Sequence, residues 1–278
     1  MWDTRKLLLA IIFTAVNYKV TAENAQLLDR NFVDVVDDLY TGCREEAMKK
    51  FIDSNLLGQE LNRSKEFQHA WSGNTQCSTL IPNGIKEHTA ALSVFNNEDS
   101  VFITTFGEAV ERKGVNVSVY EEDFHFKSLH FLLMDSMKLL KPKECKTLFL
   151  LQEKQKIPQP GSTVRLGHFT TVNSNYDALK QMEDFHGQVL LNITSCFFVK
   201  LGDHACNKDT DSALLSPAEI FTVEEITEKK KDDTEYIEVV LKHSELRSSH
   251  NCYMFSRSPM VVSTQWLVSV LVALSFFL

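Results

Sequence analysis

Three runs decide how this chain folds: Cys145-Lys-Thr-Leu-Phe-Leu-Leu151, Gly161-Ser-Thr-Val-Arg-Leu-Gly-His-Phe-Thr-Thr171 and Val189-Leu-Leu-Asn-Ile-Thr-Ser-Cys196. Each is short, apolar and rich in β-branched residues, and polar stretches with Pro, Gly and Asn separate them. That pattern predicts three strands. Cys145 precedes the first run and Cys196 ends the third.

Towards the N-terminus the period changes. Residues 44–55 carry Ala47, Met48, Phe51 and Ile52 on one side, which predicts an amphipathic helix. Residues 60–71 predict a second, anchored by Leu61, Phe67 and Trp71. Pro82-Asn83-Gly84 reads as a turn, followed by helices over 87–95 and 102–110. The strongest helical signal runs from Phe124 to Leu140. Phe126, Leu129, Leu133, Met137 and Leu140 form one apolar stripe, Asp123 stands at the N-cap and Pro142 stops the helix. His125 and His130 read as helix-face residues, one exposed and one packed. After the three runs, 218–225 and 235–243 are strand-like, with Lys229-Lys-Lys-Asp-Asp-Thr234 as a solvated hairpin loop. Helices first and strands afterwards make an α+β domain.

The ends read differently. Arg5 and Lys6, then an apolar run from Leu7 to Val16 and the short residues before Ala22, form the pattern of a secretory signal over 1–22. Trp266 to Leu278 is a terminal apolar tail behind the small residues Ser256 and Ser258. This is the pattern of a GPI-attachment signal over 256–278, with a membrane span as the rival reading. The expected ectodomain is 23–255, on the outer face of the plasma membrane or secreted. Three Asn-x-Ser/Thr sequons, at Asn62, Asn116 and Asn192, fit that compartment. Asn192 lies in an apolar run and must face solvent to carry a glycan. A net charge of −8 over 278 residues argues against nucleic acid, which needs a basic face. Six cysteines in a secreted chain point to disulfides, but six allow 15 pairings and spacing does not choose among them. No metal is expected, because His204-Ala205-Cys206 has no second ligand pair beside it. There is no Gly-x-Ser-x-Gly elbow, His-Glu-x-x-His or phosphate loop.

The run from Gly161 to Thr171 resembles the Gly-x-x-x-Arg-Phe-Gly-x-Phe-Thr-Ser segment of the vertebrate ecto-mono-ADP-ribosyltransferases, which use NAD(P)+ to modify protein arginine. Asp29 to Cys43 resembles that family's opening, and Phe124 to Leu133 its Phe-His-Phe-Lys-x-x-His-Phe-x-Leu helix. The resemblance covers residues 29–255. It implies the mono-ADP-ribosyltransferase fold, with an N-terminal helical portion, a C-terminal antiparallel β core and an NAD cleft. It also implies Cys43–Cys252 and Cys145–Cys196 disulfides, which leave Cys77 and Cys206 as a third bridge or two free thiols. Its partners are NAD(P)+, extracellular or cell-surface proteins with exposed arginine, and the membrane through the anchor.

The family's site is an Arg, then Ser-x-Ser, then Glu-x-Glu. The resemblance places the Arg on Leu150, the Ser on Thr171, and the two Glu on Thr210 and Ser212. Glu219 matches a later Glu that is not catalytic. Arg165, Gly167 and Thr171 are the remaining candidates for NAD contact. Their alternative is structural: Arg165 bracing the sheet, Gly167 permitting a bulge, Thr171 an ordinary strand residue. Leucine cannot hold a phosphate, and serine cannot neutralise an oxocarbenium ion. The expectation is therefore transferase activity weak or lost. The alternatives are a non-catalytic cell-surface binding protein, or an NAD glycohydrolase in which Asp211, of the pair Asp209 and Asp211, replaces the missing Glu.

Overall fold

The computed structural model describes residues 27–29, 34–72, 80–96, 100–154, 157–203, 211–231 and 234–255. The signal-like and anchor-like ends, Ser256, Ser258, Cys77, His204, Cys206, Asp209 and Thr210 lie outside them.

The N-terminal half is helical: α1 (Arg44–Met48), a π-helical turn (Lys49–Asp53), α2 (Leu56–Arg63), α3 (Lys65–Ser72), α4 (Lys86–Asn96), α5 (Ser100–Arg112), α6 (Val117–Asp123) and α7 (Lys127–Leu139). The single helix expected over 60–71 is two. Ser64 has extended backbone between them, and its hydroxyl accepts the Phe67 amide at 3.1 Å. A serine that takes up a following N–H starts a new helix instead of continuing the old one.

Helix α7 is the spine of this half, and it corrects two expectations. Lys127 to Met137 are all buried, so there is no single apolar stripe. A helix covered on every side must satisfy its polar groups internally. Ser128 donates to the Phe51 carbonyl, His130 bridges the Tyr40 hydroxyl and the Val36 carbonyl, and Asp135 accepts from Arg44 and His88. Nor is Asp123 its cap, because Asp123 ends α6. The Glu60 carboxylate, reaching over from α2, accepts the Lys127 and Ser128 amides at 2.9 and 3.0 Å. A buried anion at the positive end of a helix dipole replaces the local cap. His130 is fully buried, whereas His125 is half-buried in the turn before the helix and contacts Arg63.

The strands are β1 (Leu27–Asp29), β2 (Lys146–Gln152), β3 (Thr163–Leu166), β4 (Thr170–Asn173), β5 (Val189–Ser195), β6 (Phe198–Lys200), β7 (Ser212–Leu215), β8 (Glu219–Lys231) and β9 (Thr234–Leu246), with α8 (Tyr176–Met182) between β4 and β5. Among the described residues they form one sheet, in the order β1-β3-β8-β9-β5-β2-β4-β7-β6. The expected outer strands are present, but the middle run is two strands broken at Gly167-His168-Phe169. The core is also mixed: β5 and β9 are parallel, every other pair antiparallel. The β8–β9 strands run through Lys229–Lys231 and Thr234, so the expected loop is mostly ladder, and Lys229 pairs Glu238 at 3.2 Å. Val164, Phe221 and Val223 from one side of the sheet order share an apolar cluster with Val172, Ala213 and Phe198 from the other. The sheet therefore curls round its own core. Cys145–Cys196 closes the β2–β5 ladder, and Cys43–Cys252 joins the two ends of the domain.

Two buried groups make opposite demands on pH. Burial lowers His130 to about 4, so folding resists its protonation; its stabilisation is complete above 6.5 and is lost as the pH falls towards 4. Burial raises Asp38 to about 6 despite hydrogen bonds from Cys252, Tyr40 and Tyr253, so it gains stability over much of the same descent. At about 1.4 kcal/mol per unit the two largely offset each other. His130→Phe should unmask Asp38. Urea midpoints of the variant should then rise relative to those of the parent between pH 7 and 4.5; parallel pH profiles would contradict the assignment.

Candidate functional site

Strands β4 and β7 carry the positions that the resemblance singles out. Their register pairs Thr171 with Leu214 and Asn173 with Ser212, and β2 joins through Phe149 opposite Asn173. Directly paired residues share a face, and alternation keeps i and i+2 together. Thr171, Asn173, Ser212 and Phe149 therefore lie on one face. Thr171 is exposed there and Ser212 half-buried. Asn173, opposite Ser212 on this face, was not singled out from the sequence.

Leu150 lies on the other face. It pairs with the fully buried Leu191 and packs, partly buried, against the cluster containing Leu148, Val172 and Ala213. The β2 alternation thus turns this side chain into the core.

Arg165 is fully buried, and its Nη1 donates to Asp37 Oδ2 at 2.8 Å. Asp37 also accepts the Ser249 and His250 amides, so the pair ties β3 to both ends of the domain. Burial raises the Asp37 carboxyl, but hydrogen bonds from His250, Ser249 and Arg165 outweigh it and hold the group below its ordinary value. Arg165 is thus part of a buried ion-pair network that also holds residues 249 and 250.

Gly167 has a steric reason. A Cβ there would lie 2.4 Å from Glu111 Oε1 and 2.8 Å from its Cγ. The space admits Glu111 from α5 to accept from His168 Nδ1 at 3.0 Å. Gly167→Ala should displace that carboxylate and cost about 1–3 kcal/mol by overpacking. Chemical denaturation measures it, and a loss below about 0.5 kcal/mol would show that Glu111 yields freely.

Glu219 is wholly buried and accepts from the Ser195 hydroxyl, the Cys196 amide and His243 Nδ1 at 2.6, 2.8 and 2.8 Å. It locks the end of β5 to β9, a structural task. Asp211 stands just before β7. Its carbonyl accepts the Ser174 amide at 2.7 Å, and its Oδ2 accepts from Asn175 Nδ2 at 3.3 Å. Asn175 Oδ1 in turn caps α8 through the Ala178 amide. The group is thus part of the α8 anchorage.

A dinucleotide presents a doubly anionic pyrophosphate and a ribose on which positive charge develops. Of Thr171, Asn173, Asn175, Asp211 and Ser212, none is cationic and one is anionic. Arg165 is committed to Asp37. These residues offer hydroxyls and amides to a sugar but fit a pyrophosphate poorly.

A sequence model of the NAD:arginine ADP-ribosyltransferase family matches residues 31–249. Ecto-ADP-ribosyltransferase 5 of Mus musculus is 26% identical over 234 residues, covering 79% of this chain and 73% of that protein. Ecto-ADP-ribosyltransferase 4 of Mus musculus is 24% identical over 261 residues, covering 86% and 83%. NAD(P)(+)--arginine ADP-ribosyltransferase 1 of Gallus gallus is 24% identical over 228 residues, covering 78% and 69%. The crystal structure of the eukaryotic mono-ADP-ribosyltransferase ART2.2 superposes with a TM-score of 0.63 at 22% identity, covering 82% of this chain and 99% of that one. Mutants of that enzyme have been solved in complex with NADH and with NAD.

Proposed function

The chain belongs to the NAD:arginine ADP-ribosyltransferase family, and on that premise we propose that it is a cell-surface member whose transferase activity is weak or lost. Breaking the nicotinamide–ribose bond develops positive charge on the sugar. A carboxylate placed beside it is worth several kcal/mol, on the order of 2.7–4 for one preorganised group. The observation that carries the proposal is the pair Leu150 and Ser212, an alkyl chain and a hydroxyl where the family pattern has an Arg and a Glu. Leu150 is also turned towards the apolar cluster.

What survives is a family frame with hydroxyls and amides on the exposed face. That supports a non-catalytic binding role at the cell surface as the companion reading. The glycohydrolase reading needs the Asp211 carboxylate to reach a ribose, and its hydrogen bond to Asn175 works against that. Incubation of the purified protein with labelled NAD and an arginine donor tests the proposal. The expected result is no transfer above background; label transfer would contradict the proposal, and nicotinamide release without transfer, abolished by Asp211→Asn, would favour the third reading instead.

Residues 1–22 act in this proposal as a secretory signal, and 256–278 as a GPI signal attached at Ser256 or Ser258. Phosphatidylinositol-specific phospholipase should then release the protein from cells; retention would favour a spanning tail. Of the sequons, Asn62 and Asn116 are exposed, whereas Asn192 is half-buried and its Nδ2 donates to Glu238 at 2.9 Å. A glycan needs that nitrogen. Asn62→Gln and Asn116→Gln should each remove one glycosidase-sensitive band shift, and Asn192→Gln none. A third band shift lost with Asn192 would contradict this.

A further inference from the structure

The long hairpin of β8 and β9 leaves one side of the sheet open. Strand β3 pairs with β8 only as far as Thr222. Next to it, Gly161 N–H donates to the Val223 carbonyl at 2.8 Å and Val223 N–H to the Ser162 carbonyl at 2.9 Å. From Glu224 to Lys231, no strand among the described residues pairs with that side of β8. Val223 lies opposite Leu241 and Glu225 opposite Val240, so Glu224 is a bulge residue. Beyond the bulge, alternation returns the outward orientation of the Val223 backbone at Ile226, Glu228 and Lys230. Their N–H and C=O groups point away from β9, a row that an added strand would use. The edge is accessible: Glu225 and Glu228 are exposed, Thr227 and Lys229 half-buried.

We propose that this edge pairs with the same edge of a second copy of the chain, antiparallel about a twofold axis at Thr227, so that the two sheets join. Charge selects both the occupant and the register. A twofold axis perpendicular to the sheet keeps each face on its own side, so it passes through a residue and pairs positions equally far before and after it. Centred on Glu225, Glu228, Lys229 or Lys230, the pairing sets like charges against each other on the axis, which is destabilising. Centred on Ile226, it forms no ion pair. Centred on Thr227, it sets Glu225 opposite Lys229 of the second copy, once on each side of the axis. Threonine then faces threonine, and Ile226 lies opposite Glu228. Those two residues both turn their backbone outward, so the same register pairs N–H with C=O. Lysines alone would guard the edge against a copy of itself. Glu225 at the other end turns that repulsion into a match. Lys229 already meets Glu238 of β9 at 3.2 Å, and Glu225 Oε1 accepts from Thr227 Oγ1 at 2.7 Å, so both side chains are held along the edge. One strand from each copy is a small interface, and the dimer is weak. The proposal does not rest on the reading of the NAD positions, because no residue of this edge is among them.

Sedimentation velocity of the purified protein, from about 10 μM to about 1 mM, is the test, and the parent should pass from monomer towards dimer over that range. Glu225→Lys and Lys229→Glu should each weaken association by about tenfold or more, because symmetry counts every substitution twice. An equimolar mixture of these two variants should associate as the parent does, since each charge then faces its opposite. Glu228→Pro removes an outward N–H and spares the β9 ladder, so it should abolish the dimer. Circular dichroism of all three variants should match the parent. A parent that stays monomeric to about 1 mM would overturn the proposal. So would a dimer indifferent to Glu228→Pro, or folded charge variants that stay monomeric on mixing.

Discussion

Asp37→Ala is expected to lower folding stability by about 3–5 kcal/mol, among the largest effects of any single replacement. It removes the carboxylate that the fully buried Arg165 guanidinium donates to at 2.8 Å. It also removes the acceptor of the Ser249 and His250 amides. Asp37→Ala/Arg165→Met should recover part of the loss, because an apolar side chain of similar length does not need a counter-charge. The two amides stay without their acceptor, so recovery should be incomplete. Urea unfolding followed by tryptophan fluorescence reads both variants. A single-variant loss below about 1 kcal/mol would mean that Arg165 finds another anion or reaches water.

The second large effect is at the neighbouring disulfide. Cys43–Cys252 closes 209 residues, against 51 for Cys145–Cys196. In the chain-entropy view, removing the wider closure costs about 1 kcal/mol more, within a usual range of about 2–5 kcal/mol. The site adds to this cost. Tyr40 and Cys252 both have left-handed backbone, φ 51° and 56°, which side-chain-bearing residues adopt at a cost of roughly 1–3 kcal/mol each. The Asp38 carboxylate accepts the amides of both, and of Tyr253. Cys43→Ala/Cys252→Ala should therefore loosen 248–255 first, seen as faster amide exchange there than in β5. Cys145→Ala/Cys196→Ala should act locally on the β2–β5 ladder. Reversal of the two stability losses would contradict this order.

The fold was largely legible because its strongest signals were local. Leu148, Leu191 and Ile193 sit in β-branched or apolar runs, and those runs are β2 and β5. Two helices were missed for want of an apolar stripe: α6 buries Tyr120 and α8 buries Leu179. Each carries an asparagine N-cap, Asn116 and Asn175, whose side chain accepts the amide three residues on. Those caps were readable signals. The cap on α7 was not, since Glu60 lies 67 residues away from the amide it receives. The same holds for the site. Identities at 150, 171 and 212 follow from motif spacing, but that Leu150 faces the core and Ser212 the opposite side follows only from register.

The most direct measurement is transfer of labelled ADP-ribose from NAD to an arginine donor by the unmodified protein, with a family enzyme as the positive control. A chain with Leu150 and Ser212 in place of an ionic pair should leave the donor unlabelled under conditions in which the control labels it fully. Labelling at a comparable rate, lost when Asp211 is replaced by asparagine, would mean that an anion reaches the reacting sugar after all.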